Sequence, residues 1–385
     1  MPKTTTSLET PLRNQLDRLA AFEPASLPVV SLYLDMRPDQ HGREQYATWL
    51  RKALPERVRT FAAGTDARRS LDGDVERIHA YLASRGERSA NGLAIFACHG
   101  AGLFEALQLS APIENHWLFI GPVPHLYPLA RLNDQYPRYA ALLVDTNAAR
   151  LFVFSLGATE ALREVKNVKT RKSSMGGWSQ ARYQRHVDND HSQHMKEVVD
   201  ILDRVVREEA INHIVVACDE IAKPLLMQEL PRHLAPRIID IVRMDINAPE
   251  HEVLRETLEA LRAKDGDTDA ERVEAMLGAW KAGGLAVVGP DDTLEALQRG
   301  QVEELMIAAR AASVRRPEES GAGAAAGPVA VETSAPGGTV DPERAGMAGE
   351  LVARAQATAA RIRFIEDERL LDDVGGVGAL LRFKI

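Results

Sequence analysis

The pattern of apolar and polar positions predicts alternating helices and strands along the first third of the chain. Apolar residues recur at helical spacing in residues 8–22, 43–62 and 73–85. Strand-like patterns occupy residues 27–36 and 91–110, the latter as two strands joined by a glycine-containing turn. A proline-punctuated run follows from residue 111. We therefore expect an N-terminal α/β domain that spans residues 1–130.

The next segment predicts a mixed sheet. Three short strands are separated by tight turns, at residues 138–146, 149–157 and 159–168. From Ser179 to about Ala210 the chain has no Pro or Gly, and an apolar stripe at helical spacing predicts one long helix, with members Met195, Val198, Val199, Leu202, Val205 and Val206. A strand, a short helix and a further strand complete the segment. This order predicts an RNase H-like α/β sheet in a domain of residues 131–246.

Residues 247–385 alternate again and predict a C-terminal α/β domain. Helices are expected at residues 251–264, 271–283, 292–300 and 345–359, and strands at residues 284–289, 302–308, 361–367 and 378–385. A Gly-, Ala-, Pro- and Ser-rich stretch interrupts this pattern. Such a composition buries too little apolar surface to order itself, so we expect a disordered loop at about 313–343 inside the domain.

Composition indicates an ordinary soluble protein. The 385 residues exceed what one hydrophobic core usually organises, and 45% hydrophobic with 26% charged residues is typical of globular chains. No apolar stretch reaches the ~18 residues of a membrane span and the N-terminus lacks a signal-peptide pattern, so we expect a cytoplasmic protein without membrane contact. Cys98 and Cys218 lie in apolar runs, which predicts buried thiols and neither a disulfide framework nor a Cys-type zinc site.

Positive charge is concentrated in one part of an acidic chain. Residues 163–186 contain seven basic residues and one acidic residue, a net +6, whereas the whole chain carries −8. The remainder therefore carries −14. A local basic pole on an acidic body suits a protein that presents one region to a polyanion. A charged face that only contacts solvent is the alternative.

The sequence SMGGWSQARYQRH, residues 174–186, is named the tip segment. Gly176 and Gly177 precede Trp178, whose flat ring could stack on an unpaired base for roughly 1–3 kcal/mol. Arg182 and Arg185 are three residues apart near a helix N-terminus, which favours phosphate. Lys169, Arg171 and Lys172 flank the approach, and Ser179 follows the tryptophan. These residues predict an RNA-binding surface. In the alternative, Trp178 folds back as a local hydrophobic anchor.

Five sequence features occur together in this chain: SLYLD at 31–35, NGLAIFA at 91–97, a Gly-Gly pair before a long helix, VEELMIA at 302–308 and GGVGALLRFKI at 375–385. The combination resembles the archaeal and eukaryotic class-one peptide release factors and Pelota. It resembles more closely their bacterial relatives, which include proteins similar to the peptidyl-tRNA hydrolase of ribosome quality control and the hibernation factor Balon. The resemblance spans nearly the whole chain and implies three domains, the last of them Pelota-like.

Release factors carry Gly-Gly-Gln at their tip, where the glutamine positions a water against the peptidyl-tRNA ester. Here Gly176 and Gly177 match that motif, but Trp178 occupies the third position. Ser179 and the basic spacing that follows also fit the family. Gln180 is the nearest glutamine, displaced by two positions. It is therefore the candidate catalytic residue, and the departure affects catalysis more than ribosome binding.

Two functions remain open after this comparison. In the first, the protein occupies the aminoacyl-tRNA site without chemistry, in hibernation or rescue; in the second, it hydrolyses peptidyl-tRNA on stalled ribosomes. Both imply ribosomal RNA and peptidyl-tRNA as partners, with an elongation-factor GTPase as a candidate, and neither implies a cofactor or a metal. The Asn-Ile-Lys-Ser tetrapeptide that reads stop codons is absent, and Arg68 and Arg69 in the comparable region are expected to be solvated.

Two clusters could bind a metal ion instead. Asp145 and Asp219 end predicted strands of the RNase H-like domain, where nucleases of that fold hold magnesium, but a third carboxylate is needed. His191 and His194 have a spacing that suits metal coordination, although such residues on a polar helix more often face solvent. A nuclease is therefore a minor alternative. No phosphate-binding loop, HExxH or nucleophile-elbow motif is present.

Overall fold

The computed structural model describes residues 12–22, 26–38, 41–84, 90–155, 158–166, 180–315, 330–333 and 342–384. Contacts divide the chain into two compact units. One unit combines Met1–Gln135 with Asp269–Ile385, and the other is Tyr136–Thr268. The first unit thus contains residues from both ends of the chain. The predicted division into three domains stays a prediction.

The N-terminal part of the first unit is an antiparallel sheet covered by helices. Its helices are α1 (Leu12–Ala20), α2 (Tyr46–Val58), α3 (Asp66–Ser84) and α4 (Tyr127–Gln135). Its strands are β1 (Val29–Asp35), β2 (Gly92–Cys98), β3 (Leu103–Leu109) and β4 (Trp117–Gly121). The β2–β3 turn ends at Gly102, whose φ of 73° favours glycine. The proline-punctuated run contains β4 and α4, which the sequence analysis did not predict.

Residues of the second unit form the mixed sheet. Its elements are β5 (Tyr139–Val144), β6 (Ala148–Ser155), β7 (Ala158–Lys166), α5 (Gln180–Glu208), β8 (Ile214–Cys218), α6 (Ala222–Glu229) and β9 (Ile238–Val242), followed by the first part of α7 (Glu250–Lys281). The strand order is β7-β6-β5-β8-β9. The pairs among β5, β6 and β7 are antiparallel, whereas β8 lies parallel to both β5 and β9. The predicted sequence of elements, three meander strands, a long helix, a strand, a short helix and a strand, is confirmed.

Both faces of this second sheet are covered. Alternate residues of β5 point to opposite faces, so Ala140, Leu142 and Val144 pack with α5 and α6. Tyr139, Ala141 and Leu143 pack instead with the first part of α7. A strand buried on both faces reads as a continuous apolar run, which explains the sequence YAALLV.

The C-terminal part of the first unit contains a four-stranded sheet and its helices. The elements after α7 are β10 (Ala286–Val288), α8 (Pro290–Gln298), β11 (Val302–Ala308), β12 (Ala330–Thr333), α9 (Pro342–Ala357), β13 (Arg361–Ile365) and β14 (Val377–Leu381). The order is β10-β14-β11-β13, in which β11 and β13 are parallel. At the start of β14, Gly376 has a φ of 78°, and a Cβ there would lie 2.2 Å from the Ser313 carbonyl oxygen. The GGVG sequence is thus needed for close backbone approach.

Two C-terminal elements differ from the sequence-based expectation. The segment predicted as two helices forms one continuous helix, α7, because glycine without proline is tolerated inside a helix. The stretch expected to be a loop contributes β12, which pairs antiparallel with β4 and completes the sheet order β12-β4-β1-β2-β3. This pairing is one reason why the N-terminal and C-terminal segments belong to the same unit.

Candidate RNA interface

The start of helix α5 is the described part of the predicted RNA-binding surface. Its backbone is helical from Gln180 onward, so Gln180, Arg182 and Arg185 lie in its first two turns. The remaining predicted residues lie outside the described residues: Lys169, Arg171, Lys172, Gly176, Gly177, Trp178 and Ser179. Their roles therefore stay predictions.

Helix α5 is anchored in the core by its C-terminal half. Met195, Leu202 and Val206 belong to the apolar cluster beneath it, and the buried residues of α5 that the structure describes begin at His194. Fourteen residues separate His194 from Gln180, a length of about 21 Å at ~1.5 Å per residue. The helix thus begins well away from the anchoring residues that the structure describes in it.

The electrostatic character of this helix end favours an anion. The first N–H groups of an α-helix lack partners within the helix, and the aligned peptide dipoles place partial positive charge at that end. The edge strand β7 leads into the basic segment, and Arg163 on this strand is exposed. Phosphate is the natural ligand for a helix N-terminus flanked by arginine and lysine.

The histidine pair of α5 does not form the predicted arrangement. His191 is half-buried, whereas His194 is only 2% exposed, which overturns the expectation that both face solvent. Neither ring nitrogen of His194 has a hydrogen-bond partner among the residues that the structure describes. Nearby, the Ser192 hydroxyl donates to a Glu229 carboxylate oxygen at 3.0 Å and joins α5 to α6. Within the described ranges, no group of three or more His, Cys, Asp or Glu residues is arranged to hold a metal ion.

The two aspartates of the nuclease alternative lie at the same edge of the sheet. Val144 and Cys218 are paired at the carboxyl ends of parallel strands, and Asp145 and Asp219 follow them directly. The Asp145 Oδ1 atom accepts backbone N–H groups of Asn147 and Ala148, both at 2.7 Å. Asp219 accepts the corresponding groups two and three residues later, at 3.0 and 2.7 Å. Each carboxylate thus stabilises the turn that follows its own strand.

Comparison with known proteins identifies what this architecture resembles. Residues 124–262 match the family model described as bacterial archaeo-eukaryotic release factor family 10. The peptide chain release factor subunit 1 of Aeropyrum pernix is 22% identical over 315 residues, which cover 77% of this chain and 82% of that protein. The chain is thus similar to a class-one release factor over most of its length. The matched segment contains the tip segment, α5 and the whole mixed sheet.

Solved structures with remote similarity include three translation-related proteins. The match to the crystal structure of an archaeal translation termination factor covers 96% of this chain and 98% of that factor, at 18% identity and a TM-score of 0.26. The match to a model of ribosome-bound archaeal Pelota and ABCE1 covers 97% of this chain and 94% of the matched chain, at 12% identity and a TM-score of 0.44. The match to the crystal structure of Archaeoglobus fulgidus Pelota covers 74% of this chain and 86% of that protein, at 12% identity and a TM-score of 0.32.

The arginines of the region comparable to the stop-codon reader are engaged in local ion pairs. Arg68 Nε lies 2.9 Å from a carboxylate oxygen of Asp72, and Arg69 pairs with Asp66 on the same helix. The Arg69 and Asp66 side chains are largely exposed. Surface pairs of this kind contribute little to stability, typically ~0–1 kcal/mol. The expectation that these arginines are solvated fits Arg69, whereas the Arg68 side chain is only 24% exposed.

Buried polar groups are the feature that sequence patterns did not reveal. Asp74 of α3 is fully buried, and burial raises the pKa of its carboxyl to about 7. His125, in the turn before α4, stacks on Phe119 with 4.3 Å between ring centroids, and burial lowers its pKa to about 3. Cys98 and Cys218 are buried as predicted, and burial raises the pKa of both thiols.

None of the helices in the described ranges could cross a membrane.

Proposed function

We propose that this release-factor relative is a ribosome-binding translation factor that occupies the aminoacyl-tRNA site during hibernation or rescue. Its tip segment would lie near the peptidyl-transferase centre. The observation that carries the proposal is that α5 begins at Gln180, three residues after Gly177, and that His194, its first described buried residue, lies about 21 Å along the helix from Gln180. A helix whose first turns carry basic residues suits insertion into an RNA-lined cleft.

The charge distribution supports RNA as the ligand of the tip segment. The +6 of residues 163–186 contrasts with −14 over the remaining chain, so attraction to RNA is confined to one region. In this proposal Arg182 and Arg185 contact phosphates, while Lys169, Arg171 and Lys172 contribute to the approach. Trp178 would stack on an unpaired base, and the two glycines would allow the backbone to come close to RNA.

Peptidyl-tRNA hydrolysis is the second candidate function. It is favoured by the place of Gln180 as the first residue of α5, where unpaired backbone N–H groups and the positive helix end are close to its backbone. A glutamine amide there could orient a water, and the helix end could stabilise the developing oxyanion. Trp178 in the position of the motif glutamine favours binding without chemistry.

The further partners belong to the same proposal. Peptidyl-tRNA would lie against the tip segment in either function, and an elongation-factor GTPase would deliver the protein to the ribosome. Both functions place the protein in the cytoplasm. Neither function requires a cofactor, because ribosomal RNA and the tip segment would together provide the charged groups that binding or hydrolysis uses.

Co-sedimentation with ribosomes tests the proposal. Reversing both tip arginines, Arg182→Glu with Arg185→Glu, should abolish binding, and wild-type binding should weaken as salt rises because phosphate contacts release counterions. The matched control is Arg204→Glu with Arg207→Glu, which makes the same charge change at the same spacing on exposed residues near the other end of α5. Equal sedimentation of the two double variants would show that the tip segment is not the contact.

Release of nascent chains separates the two functions. If Gln180 orders the water, Gln180→Ala should remove peptidyl-tRNA cleavage on stalled ribosomes and leave sedimentation unchanged, because a group that acts in the transition state changes rate more than affinity. Trp178→Ala should instead weaken binding by roughly 1–3 kcal/mol through the lost stack. A wild-type protein that releases no chains at saturating concentration excludes the hydrolase.

A further inference from the structure

Helix α3 carries an acid in the middle of its packed face. Leu71 and Ile78 of this helix are fully buried in the apolar cluster beneath it. α2 adds apolar side chains to the same cluster, among them Leu50, Leu54 and Val58. Asp74 lies between Leu71 and Ile78 at helical spacing and is itself 0% exposed. Neither carboxyl oxygen of Asp74 has a hydrogen-bond partner among the residues that the structure describes. An ionised carboxylate in this position is costly, because it loses its hydration.

The groups around Asp74 do little to balance a negative charge. Burial raises the pKa of its carboxyl from the usual 3.8 to about 7, although the nearby His99 N–H and the charge of Arg77 act in the opposite direction. The Arg77 side chain is exposed, and its guanidinium carbon lies 4.5 Å from the centre of the Phe104 ring. The Cys98 thiol of β2 is a neighbour of Asp74, and its pKa is raised by burial and also by the Asp74 charge. Asp74 is therefore neutral over a pH range in which exposed aspartates are ionised.

Asp74 lies where α3 holds the β2–β3 turn. One helical turn before it, the Ser70 hydroxyl accepts the Gly100 N–H at 2.9 Å. The ring of His99, which can also carry a charge, packs directly on the residue before Asp74: a Cβ built on Gly73 would lie 2.6 Å from the His99 Cγ atom. The carboxyl is therefore enclosed by the contact between the helix and the turn. Hydration of an ionised Asp74 requires that this contact opens.

We propose that Asp74 is a proton-controlled latch: its protonated carboxyl keeps α3 closed on the β2–β3 turn, and its ionisation promotes local opening of this contact. In the closed form the neutral carboxyl fills space in the core like a small apolar side chain. In the open form it is hydrated and ionised, while the second unit stays folded. This device goes beyond the proposed function, because it involves neither the tip segment nor RNA.

The Asp74 carboxyl binds its proton more tightly in the closed form than in the open form. The open form has the usual pKa of 3.8, whereas the closed form has a pKa of about 7. Below the lower value both forms are protonated, and the contact is at its firmest. As the pH rises from about 4 to about 7, only the open form loses its proton, so the equilibrium constant for opening rises about ten-fold per pH unit. Above about pH 7 both forms are ionised and the constant levels off.

Thiol labelling of the full-length protein tests this proposal. Cys98 is fully buried beside Asp74, whereas Cys218 is buried at the end of β8 in the second unit. N-ethylmaleimide reacts with a buried thiol only when it becomes accessible, and mass spectrometry of peptides reports each cysteine separately. Asp74→Asn cannot ionise at this position, so its opening should not depend on pH, and the reagent chemistry at Cys98 is the same. The Cys98 labelling rate of the wild type, divided by that of Asp74→Asn, should rise about ten-fold per pH unit between about pH 5 and 7 and then level off.

Two controls separate the latch from general effects of pH. Asp72→Asn removes an exposed carboxylate from the same helix, where Asp72 pairs with Arg68 at 2.9 Å, and should label like the wild type. Should Asp74→Asn fail to fold, the ratio of Cys98 to Cys218 labelling in the wild type should still rise over the same pH range.

Two results would overturn the proposal. A labelling ratio at Cys98 that stays constant from about pH 5 to 8 would show that Asp74 ionisation is not linked to opening. A parallel rise at Cys218 would show that the whole chain, and not this contact, opens. Ribosome sedimentation by the Arg182 and Arg185 variant has no bearing on these outcomes, so the two proposals fail independently.

Discussion

The two long helices of the molecule, α5 and α7, are held in different ways. α5 buries one continuous apolar stripe from Met195 to Val206 against one sheet. α7 is packed at its two ends, by Val253 and Leu261 in the second unit and by Val273 and Met276 in the first. Between these ends the described side chains from Arg262 to Gly266 are exposed. The difference shows that helix length alone does not indicate how a helix is stabilised.

Polar contacts hold α7 where its second packed end begins. The Arg363 guanidinium donates to Asp269 at 2.8 Å and to Glu304 at 3.1 Å, and both carboxylates are largely buried. In the first packed end, the hydroxyls of Thr257 and Tyr139 are 2.9 Å apart. In the described part of α5 the buried polar side chain is instead His194, whose ring has no hydrogen-bond partner there. Replacing a buried polar group should therefore affect stability differently in the two helices: the polar groups of α7 have partners to lose, whereas the His194 ring of α5 has none among the described residues.

The largest expected effect is the loss of a core contact in α5. Leu202 is fully buried, so Leu202→Ala should lower the free energy of unfolding by about 2–5 kcal/mol through lost transfer energy and a cavity. Urea unfolding followed by circular dichroism measures the change. Ile201→Ala is the matched control, because Ile201 is only partly buried against the same cluster, and its cost should be clearly smaller. Similar losses would mean that α5 is not held by a single stripe.

Much of α5 and of its sheet could be predicted because local pattern and tertiary environment agree. The stripe from Met195 to Val206 has one spacing, and the three meander strands are separated by turn residues. α7 could not be predicted as one helix, because its polar centre carries no apolar period and continuity is imposed by packing at both ends. β12 was missed for a related reason. Its four residues become a strand only because β4 offers an edge.

The candidate site was predictable only in part. Residue types and spacing indicated a basic tip segment before a helix, and the helix does begin at Gln180. Patterns could not indicate that His194 is buried, because burial of a polar residue in α5 depends on the sheet that it faces. Asp145 and Asp219 were correctly predicted to follow strands, which are β5 and β8. Their use as turn acceptors depends on local backbone geometry that residue types do not specify.

Replacement of the buried His194 should raise the free energy of unfolding, by less than Leu202→Ala lowers it. His194→Leu should raise the free energy of unfolding by about 1–2 kcal/mol, because it removes polar atoms that are buried without partners among the described residues. His191→Leu, on a half-buried neighbour, should change stability little. A stabilised variant that sediments poorly with ribosomes would indicate that the imidazole is retained for function. Destabilisation would show that its ring nitrogens do have partners in solution.

The smallest expected effect is that of Gly266→Ala, which tests whether α7 is one helix in solution. Gly266 lies in its exposed centre, and a Cβ built there meets no atom within 4 Å. If the centre is helical, Gly266→Ala should raise the free energy of unfolding by roughly 0.5–1 kcal/mol, since alanine loses less backbone entropy. Gly278→Ala is the matched control, because this glycine is equally open and lies in the packed second end of the same helix. Equal gains would support a continuous α7. A gain at Gly278 alone would mean that the polar centre is not helical in solution, and α7 would then behave as the two helices that its sequence periodicity predicts.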